Sequence, residues 1–359
     1  MKILMLVNWI IRYCDEVPGD KQPPDYYVKG DGANYWFHRY FQDEHTVDVM
    51  DISSFPALEQ FEMNTLHFYI KQGLQAIPKL KDYDLVVSHG IPSAVIVALW
   101  RKLTKAKSPK HIVFDIGCFN SAAESGKVMK ILQYVSKSID GIIYHTKCQK
   151  EYYEKHYPWL ANKSEFIRFG TDLNFFEPSD LSISQDNNKY ILCVGAARRD
   201  WDTLVEAYKT LNTDLELRIL GNISPEYEGI PGVRQISHVP VREMINQIYN
   251  ARLCVLPLKE YNFSYGQMTF LQQMALGKCV ISAAVPSLEG YAENGKTAVF
   301  YQPENVESCA VAIRSVLDNP QLENSIINNA KEYLATECNE AVMAKQIEAF
   351  YKKILKTKE

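Results

Sequence analysis

Two adjacent arginines, Arg198 and Arg199, stand between an apolar run ending at Gly195 and a helical pattern beginning near Asp202. Paired guanidiniums beside a helix N-terminus offer forked donors at the positive end of a dipole, an arrangement that grips a diphosphate. The alternative is a solvated turn whose arginines pair with Asp200. A second candidate lies in NFSYGQMTFLQQMALGKCVIS, Asn262 to Ser282. Ser264, Tyr265, Gly266 and Gln267 lead into a helix expected over Met268–Leu276. Gly266 lets the backbone approach a ligand, and the first N–H groups of the helix point outward to an anion. Read alone, the same residues are also a plain cap. Earlier, VKGDGANYWFHRY sets Gly30 and Gly32 before a helix, but GDG is not GxGxxG and argues against a dinucleotide. DYDLVVSHG and FDIGCFNSA end strands on polar or small residues. Ligands of parallel sheets bind at strand carboxyl ends, so His89 and Asp115 are site candidates by position, with Asn120 close behind. A structural histidine is the alternative for His89. Asp82–Asp84 and Asp200–Asp202 have DxD spacing, which can hold a divalent metal. Because DYD opens a strand and DWD leads into a helix, both read as cap and dipole partners, and no metal site is expected.

Strands are expected at Lys2–Trp9, Asp84–Ser88, His111–Ile116, Gly141–His145, Glu165–Phe169, Tyr190–Val194, Leu215–Leu220, Leu253–Leu256, Lys278–Ser282 and Ala298–Tyr301. Helical patterns fall between them, at Tyr35–Gln42, Met63–Pro78, Ser93–Thr104, Gly126–Ser138, Gln149–His156, Asp202–Leu211, Val241–Tyr249 and Val306–Leu317 as well as after Gly266. Such alternation predicts an α/β protein with parallel sheets covered by helices. The strands are too many for one six-stranded doubly wound sheet and fit two. The polar stretch SDLSISQDNNK, residues 179–189, marks the boundary. One Rossmann-like domain is expected over 1–178 and another over 189–338. A final helix over 339–359 is expected to pack back toward the first domain. Two such domains facing each other would place a ligand cleft at the carboxyl ends of their strands.

The chain has 359 residues, 47% hydrophobic and 23% charged, with a net charge of -4. That length suits two domains, and the composition is that of a soluble globular protein. No basic excess points to nucleic acid. Eight cysteines are scattered without CxxC spacing and read as free thiols of a reducing cytoplasm. The N-terminal apolar run is too short to span a bilayer and reads as a first strand.

Several segments together resemble a family. FIRFGTDLNFFEP (Phe166 to Pro178), YNARLCVLPL (Tyr249 to Leu258), QMALGKCVIS (Gln273 to Ser282) and LEGYAENGKTAVFYQPENVESCAVAI (Leu288 to Ile313) are similar, in order, to segments of GT-B glycosyltransferases of the family 4 type, the glycosyl transferases of group 1. In residues 1–164 the likeness rests on the glycine loop, YDLVVSHG and SIDGIIYHT. The resemblance implies a GT-B fold of two Rossmann-like domains. It implies a retaining, metal-independent hexosyltransferase that needs no cofactor and uses a nucleotide-sugar, a UDP- or GDP-sugar. The acceptor would be a glycan or lipid-linked precursor of cell-surface polysaccharide. It puts Arg198 and Arg199 on the diphosphate and the backbone near His238 and Val239 on the base or ribose. Gly30, Gly32 and Gly195 join the donor side. The start of the helix, Ser264, Tyr265, Gly266, Gln267, Met268 and Thr269, would cradle phosphates and sugar. Asp115 would belong to the catalytic group, and His89, Asn120 and His145 to the acceptor side. Most members carry two Glu eight positions apart, and those places hold Ser264 and Gln272 here. Gln272 can still hydrogen-bond a ribose, and Glu260 or Gln267 are the candidates to stand in at the other place. The rival readings are a non-catalytic homologue supporting another transferase and a sugar-nucleotide epimerase.

Charge is unevenly spread. Residues 101–150 hold 10 basic and 3 acidic side chains, whereas residues 1–100 hold 8 and 13. Cations at a helix C-terminus explain part of this. A cytoplasmic protein resting peripherally on an anionic membrane is the sharper expectation.

Overall fold

The computed structural model describes all residues except 31–34, 118, 120–124, 179–180, 196, 222 and 358–359. The chain forms two compact units, one of Met1–Arg168, Asn262–Ser264 and Met343–Glu359, the other of Phe169–Tyr261 and Tyr265–Val342.

The first unit contains strands β1 (Lys2–Leu6), β2 (Arg12–Cys14), β3 (Tyr26–Val28), β4 (Thr46–Met50), β5 (Leu85–His89), β6 (Lys110–Asp115), β7 (Gly141–Tyr144) and β8 (Ser164–Phe166). Its helices are α1 (Pro56–Phe61), α2 (Ile70–Ala76), α3 (Ile91–Thr104), α4 (Lys127–Ser136), α5 (Gln149–His156) and α6 (Pro158–Ala161). A six-stranded sheet runs β4-β1-β5-β6-β7-β8, parallel at every pairing. Its central strands are continuous apolar runs because a sheet buried on both faces leaves no polar side; LVVSH of β5 is buried at every position. Ile91, Ala94 and Ala98 of α3, Met129, Leu132 and Val135 of α4, and Tyr153 of α5 close one core over Val113 and Ile142.

The second unit contains β9 (Tyr190–Val194), β10 (Glu216–Leu220), β11 (Val233–Ile236), β12 (Leu253–Leu256), β13 (Val280–Ala283) and β14 (Val299–Tyr301), with α7 (Trp201–Lys209), α8 (Val241–Asn250), α9 (Gln267–Ala275), α10 (Val306–Leu317) and α11 (Pro320–Thr336). The sheet order is β11-β10-β9-β12-β13-β14, again parallel throughout. In chain order this is 3-2-1-4-5-6, so the winding reverses between β9 and β12, the position where ligands of such sheets bind. Residues 169–178 take their contacts here. The Phe169 N–H donates to the Tyr291 hydroxyl at 2.9 Å, Thr171 pairs with Asn339, and Phe176 packs into the core with Tyr190 and Leu192.

The last helix, α12 (Glu340–Lys356), passes into the first unit at Met343. Buried Glu348 accepts the N–H groups of Gln42 and Asp43 at 3.0 and 2.9 Å. Those bonds and Lys352 hold its carboxyl below the usual range despite burial. Glu348→Ala leaves two backbone donors unpaired and is expected to cost about 2–3 kcal/mol, read as a lower urea midpoint.

Local differences from the sequence reading have physical causes. The first strand stops at Leu6, and Asn8 and Trp9 turn out of the ladder. The helix expected at Tyr35–Gln42 is a short 3-10 helix, Trp36–Tyr40. The expected Met63–Pro78 helix is broken, because a π-helical turn over Glu62–Leu66 ends at His67 with φ +59°. Edge strands β4 and β11 are too polar to stand out by alternation. Helix α11, capped by Asn319 onto the Leu322 N–H, has an asparagine-rich sequence that blurs its apolar stripe. Cys193, Cys254, Cys279, Cys309 and Cys338 are free and buried.

Candidate functional site

At the switch between β9 and β12 the chain leaves Val194 into Gly195, whose φ is +127°. A Cβ there would sit 2.5 Å from Nη2 of Arg199, so glycine is what lets that guanidinium fold back over the strand end. Arg199 Nε donates to the Val194 carbonyl at 3.2 Å, Nη1 to the Ala197 carbonyl at 3.2 Å and Nη2 to Thr269 Oγ1 at 3.4 Å. None of these acceptors is a carboxylate. Burial lowers the Arg199 pKa, and a guanidinium remains charged even so. Two backbone hydrogen bonds, Asp200 N–H to the Pro257 carbonyl at 2.7 Å and Lys259 N–H to the Arg198 carbonyl at 3.3 Å, form an antiparallel bridge between Arg199 and Leu258 and strap this turn to the segment after β12. Arg198 is exposed, in the left-handed region at φ +58°.

Asp200 does not pair with Arg199. It caps α7 by accepting the Thr203 N–H, and its Oδ2 has no hydrogen-bond partner among the described residues. Asp202 accepts the Tyr227 hydroxyl at 2.7 Å. Of the other DxD, Asp84 accepts the Lys2 N–H at 2.8 Å.

Thr269 lies in the first turn of α9. Gly266 caps that helix at φ +83°, and no side chain caps it, so its first amides point away from the helix with the dipole behind them. Tyr265 is buried, its hydroxyl donating to the Lys259 carbonyl. Gln267 is buried and spends its amide on the Ser287 carbonyl at 2.7 Å. That bond ties its side chain to the turn at Ser287. Met268 is 43% exposed at the helix mouth, Ser264 is half-buried, Gln272 is buried and Glu260 is exposed. His238 is exposed just past the carboxyl end of β11. Val239, partly buried, packs its side chain against the core.

In the first unit, β5, β6 and β7 end at His89, Asp115 and Tyr144. His89 is buried, with Nδ1 3.1 Å from Asn8 Oδ1. The Trp9 ring meets it edge-on at 4.7 Å, and Trp36 lies at 5.7 Å. His145 is buried with Nδ1 2.7 Å from the Ile167 carbonyl. Burial pushes the His89 pKa down to about 3 and that of His145 to about 4. Both rings are neutral at physiological pH, and an Nδ1–H given to these oxygens leaves each Nε2 as an acceptor. Such weak bases orient a hydroxyl better than they deprotonate it.

Asp115, expected among the reacting groups, is fully buried. It accepts the Tyr153 hydroxyl and the Gly117 N–H, and burial raises its carboxyl pKa. Its contacts make it the anchor of the loop after β6. Gly30 adopts φ +78° over open space. Gly32 and Asn120 lie outside the described residues. Asn8, Trp9 and Trp36 were missed by the sequence reading. Only their positions, just past β1 and at a bulky residue with φ +49°, mark them.

Residues 179–333 match the glycosyl transferases group 1 family. No curated protein matches the sequence. Among solved structures, the chain is similar to sucrose-phosphate synthase from Thermosynechococcus elongatus, with TM-score 0.69 and 15% identity over 98% of this chain and 99% of that one. HepE of Anabaena in complex with UDP and glucose gives TM-score 0.68 and 13% identity over 98% and 100%. A glycosyltransferase from Rickettsia africae gives 0.67 and 16% over 99% of both chains. Identities this low establish the fold, two parallel six-stranded sheets of the GT-B kind. The family match spans residues 179–333, most of the second unit, and makes that unit similar to the glycosyl transferases of group 1.

Proposed function

We propose that the protein is a retaining glycosyltransferase that moves a sugar from a UDP- or GDP-sugar to a glycan or lipid-linked acceptor in cell-surface polysaccharide synthesis. The observation that carries this reading is the bond from Arg199 to Thr269, which joins a cation with no carboxylate partner among the described residues to a helix N-terminus without a side-chain cap at the switch of the second sheet. Negative charge grows on the leaving diphosphate as the glycosidic bond breaks. A preorganised guanidinium and helix amides stabilise that charge without reorganising. Arg198 adds a second cation, and the backbone at His238 and Val239 serves the base or ribose. The HepE structures with UDP and with UDP-glucose favour uridine in the donor. The reaction needs no metal on this reading, since the cations come from the chain. His89 and His145 orient the acceptor hydroxyl.

The test is a thermal-shift series with UDP, GDP, ADP and TDP, followed by a transfer assay with the matching sugar donors. UDP at about 100 times its Kd is expected to stabilise the fold by about 2.7 kcal/mol. The absence of a shift with all four nucleotides overturns the nucleotide-sugar reading. An inverted anomeric configuration in the product overturns retention.

A further inference from the structure

The outward face of α4 carries Val128, Ile131 and Tyr134, which are 59%, 55% and 46% exposed. Recurring every third residue, they form one stripe along the helix. Lys127, Lys130 and Lys137 are exposed around it. Leu103, 65% exposed, sits at the end of α3, and Lys102 Nζ lies 5.6 Å over the Tyr134 ring, which ties that end to the stripe. Where the carboxyl ends of α3 and α4 come together, a groove of about 270 Å³ is lined by Lys102, Lys105, Lys107, Lys137, Lys163 and Asp140 among others. The Asp140 carboxylate is engaged by Arg101 at 2.7 Å and by the His111 N–H at 2.8 Å, so the groove keeps a strong positive excess. Helix dipoles account for Lys102 and Lys105. They do not account for apolar side chains set among the lysines.

We infer that this face docks on an anionic bilayer, the stripe entering the boundary between headgroups and acyl chains and the lysine groove receiving lipid phosphates. The charge complementarity selects this occupant. Helix α4 follows the loop that Asp115 anchors, so docking would set the edge of the proposed acceptor side at the membrane. That consequence rests on the function proposed above, whereas the docking itself does not.

The test is co-sedimentation of the full chain with phosphatidylcholine vesicles, with and without phosphatidylglycerol, in the absence of nucleotide and acceptor. The wild type is expected to bind only the anionic vesicles and to lose binding in high salt. Ile131→Glu and the pair Lys105→Glu, Lys137→Glu are each expected to lower partitioning about tenfold. These residues are exposed, and an unchanged melting temperature and UDP shift show that the fold and the donor site persist. No binding by the wild type, or equal binding by the variants, overturns the proposal. So does concentration-dependent dimerisation by light scattering that Ile131→Glu abolishes, since the face would then join two copies. Because the nucleotide shift is measured separately, failure here leaves the donor reading standing.

Discussion

Arg199→Ala is expected to weaken binding of a nucleoside diphosphate about a hundredfold and to lower turnover at least as much. A charge-assisted hydrogen bond contributes about 1.5–3 kcal/mol, and a bidentate one lies at the upper end. The fork is held in place by three bonds to neutral oxygens, so little side-chain entropy remains to be lost when the ligand arrives. Arg199→Lys keeps the charge without the fork and should fall between, at about a tenfold loss. Gly195→Ala should resemble Arg199→Ala although it removes no charge, because its Cβ would stand 2.5 Å from the guanidinium. Isothermal titration with UDP reads all three. Unchanged affinity and turnover in both Arg198→Ala and Arg199→Ala would sink the diphosphate site.

Acid is expected to unfold the first unit well above the pH at which most carboxylates titrate. Burial holds the pKa of His38 and His89 at about 3 and of His145 at about 4, and it pushes that of His111 well below the ordinary histidine value. In the unfolded chain each would titrate near 6.5. Between these values the unfolded chain binds protons that the native chain refuses, so stability is full above about pH 6.5 and is lost as pH falls toward the folded values. Each histidine contributes a slope of about 1.4 kcal/mol per pH unit, and four together about 5. Asp115 works the other way, its raised pKa favouring the folded state as its carboxyl protonates, but it is one group against four. Trp9, Trp36, Trp100 and Trp159 lie in this unit and only Trp201 in the other. Tryptophan fluorescence therefore follows it, and the urea midpoint should fall steeply from pH 7 to pH 5. A flat midpoint across that range would refute the account.

Much of the scaffold was legible from apolar runs. VVSH, IVFD, ILCV and LCVL became β5, β6, β9 and β12 because strands buried on both faces need continuous apolar sequence. Edge strands β4 and β11 carry polar residues on a half-exposed face and gave no such signal. The candidate site was legible in part for a similar reason. A glycine after an apolar run and a helix start without a strong cap are local patterns, and Gly195, Gly266 and the Arg198–Arg199 pair all stand where local chemistry placed them.

What the sequence alone determined is the class of structure, alternating strands and helices in two sets, and the short stretches rich in anion-binding groups. These depend on spacing over a few residues, which backbone geometry converts directly into faces and turns. Only the tertiary structure decided which residues act together. It set Arg199, not Arg198, against Thr269, turned Gln267 inward to Ser287, drew Asn8 to His89 and committed Asp115 to Tyr153. Each of these contacts joins separate elements of a parallel sheet and its helices. Their meeting is fixed by strand order and register, which no local pattern encodes, because the crossovers of a doubly wound sheet bring together strand ends that lie far apart along the chain.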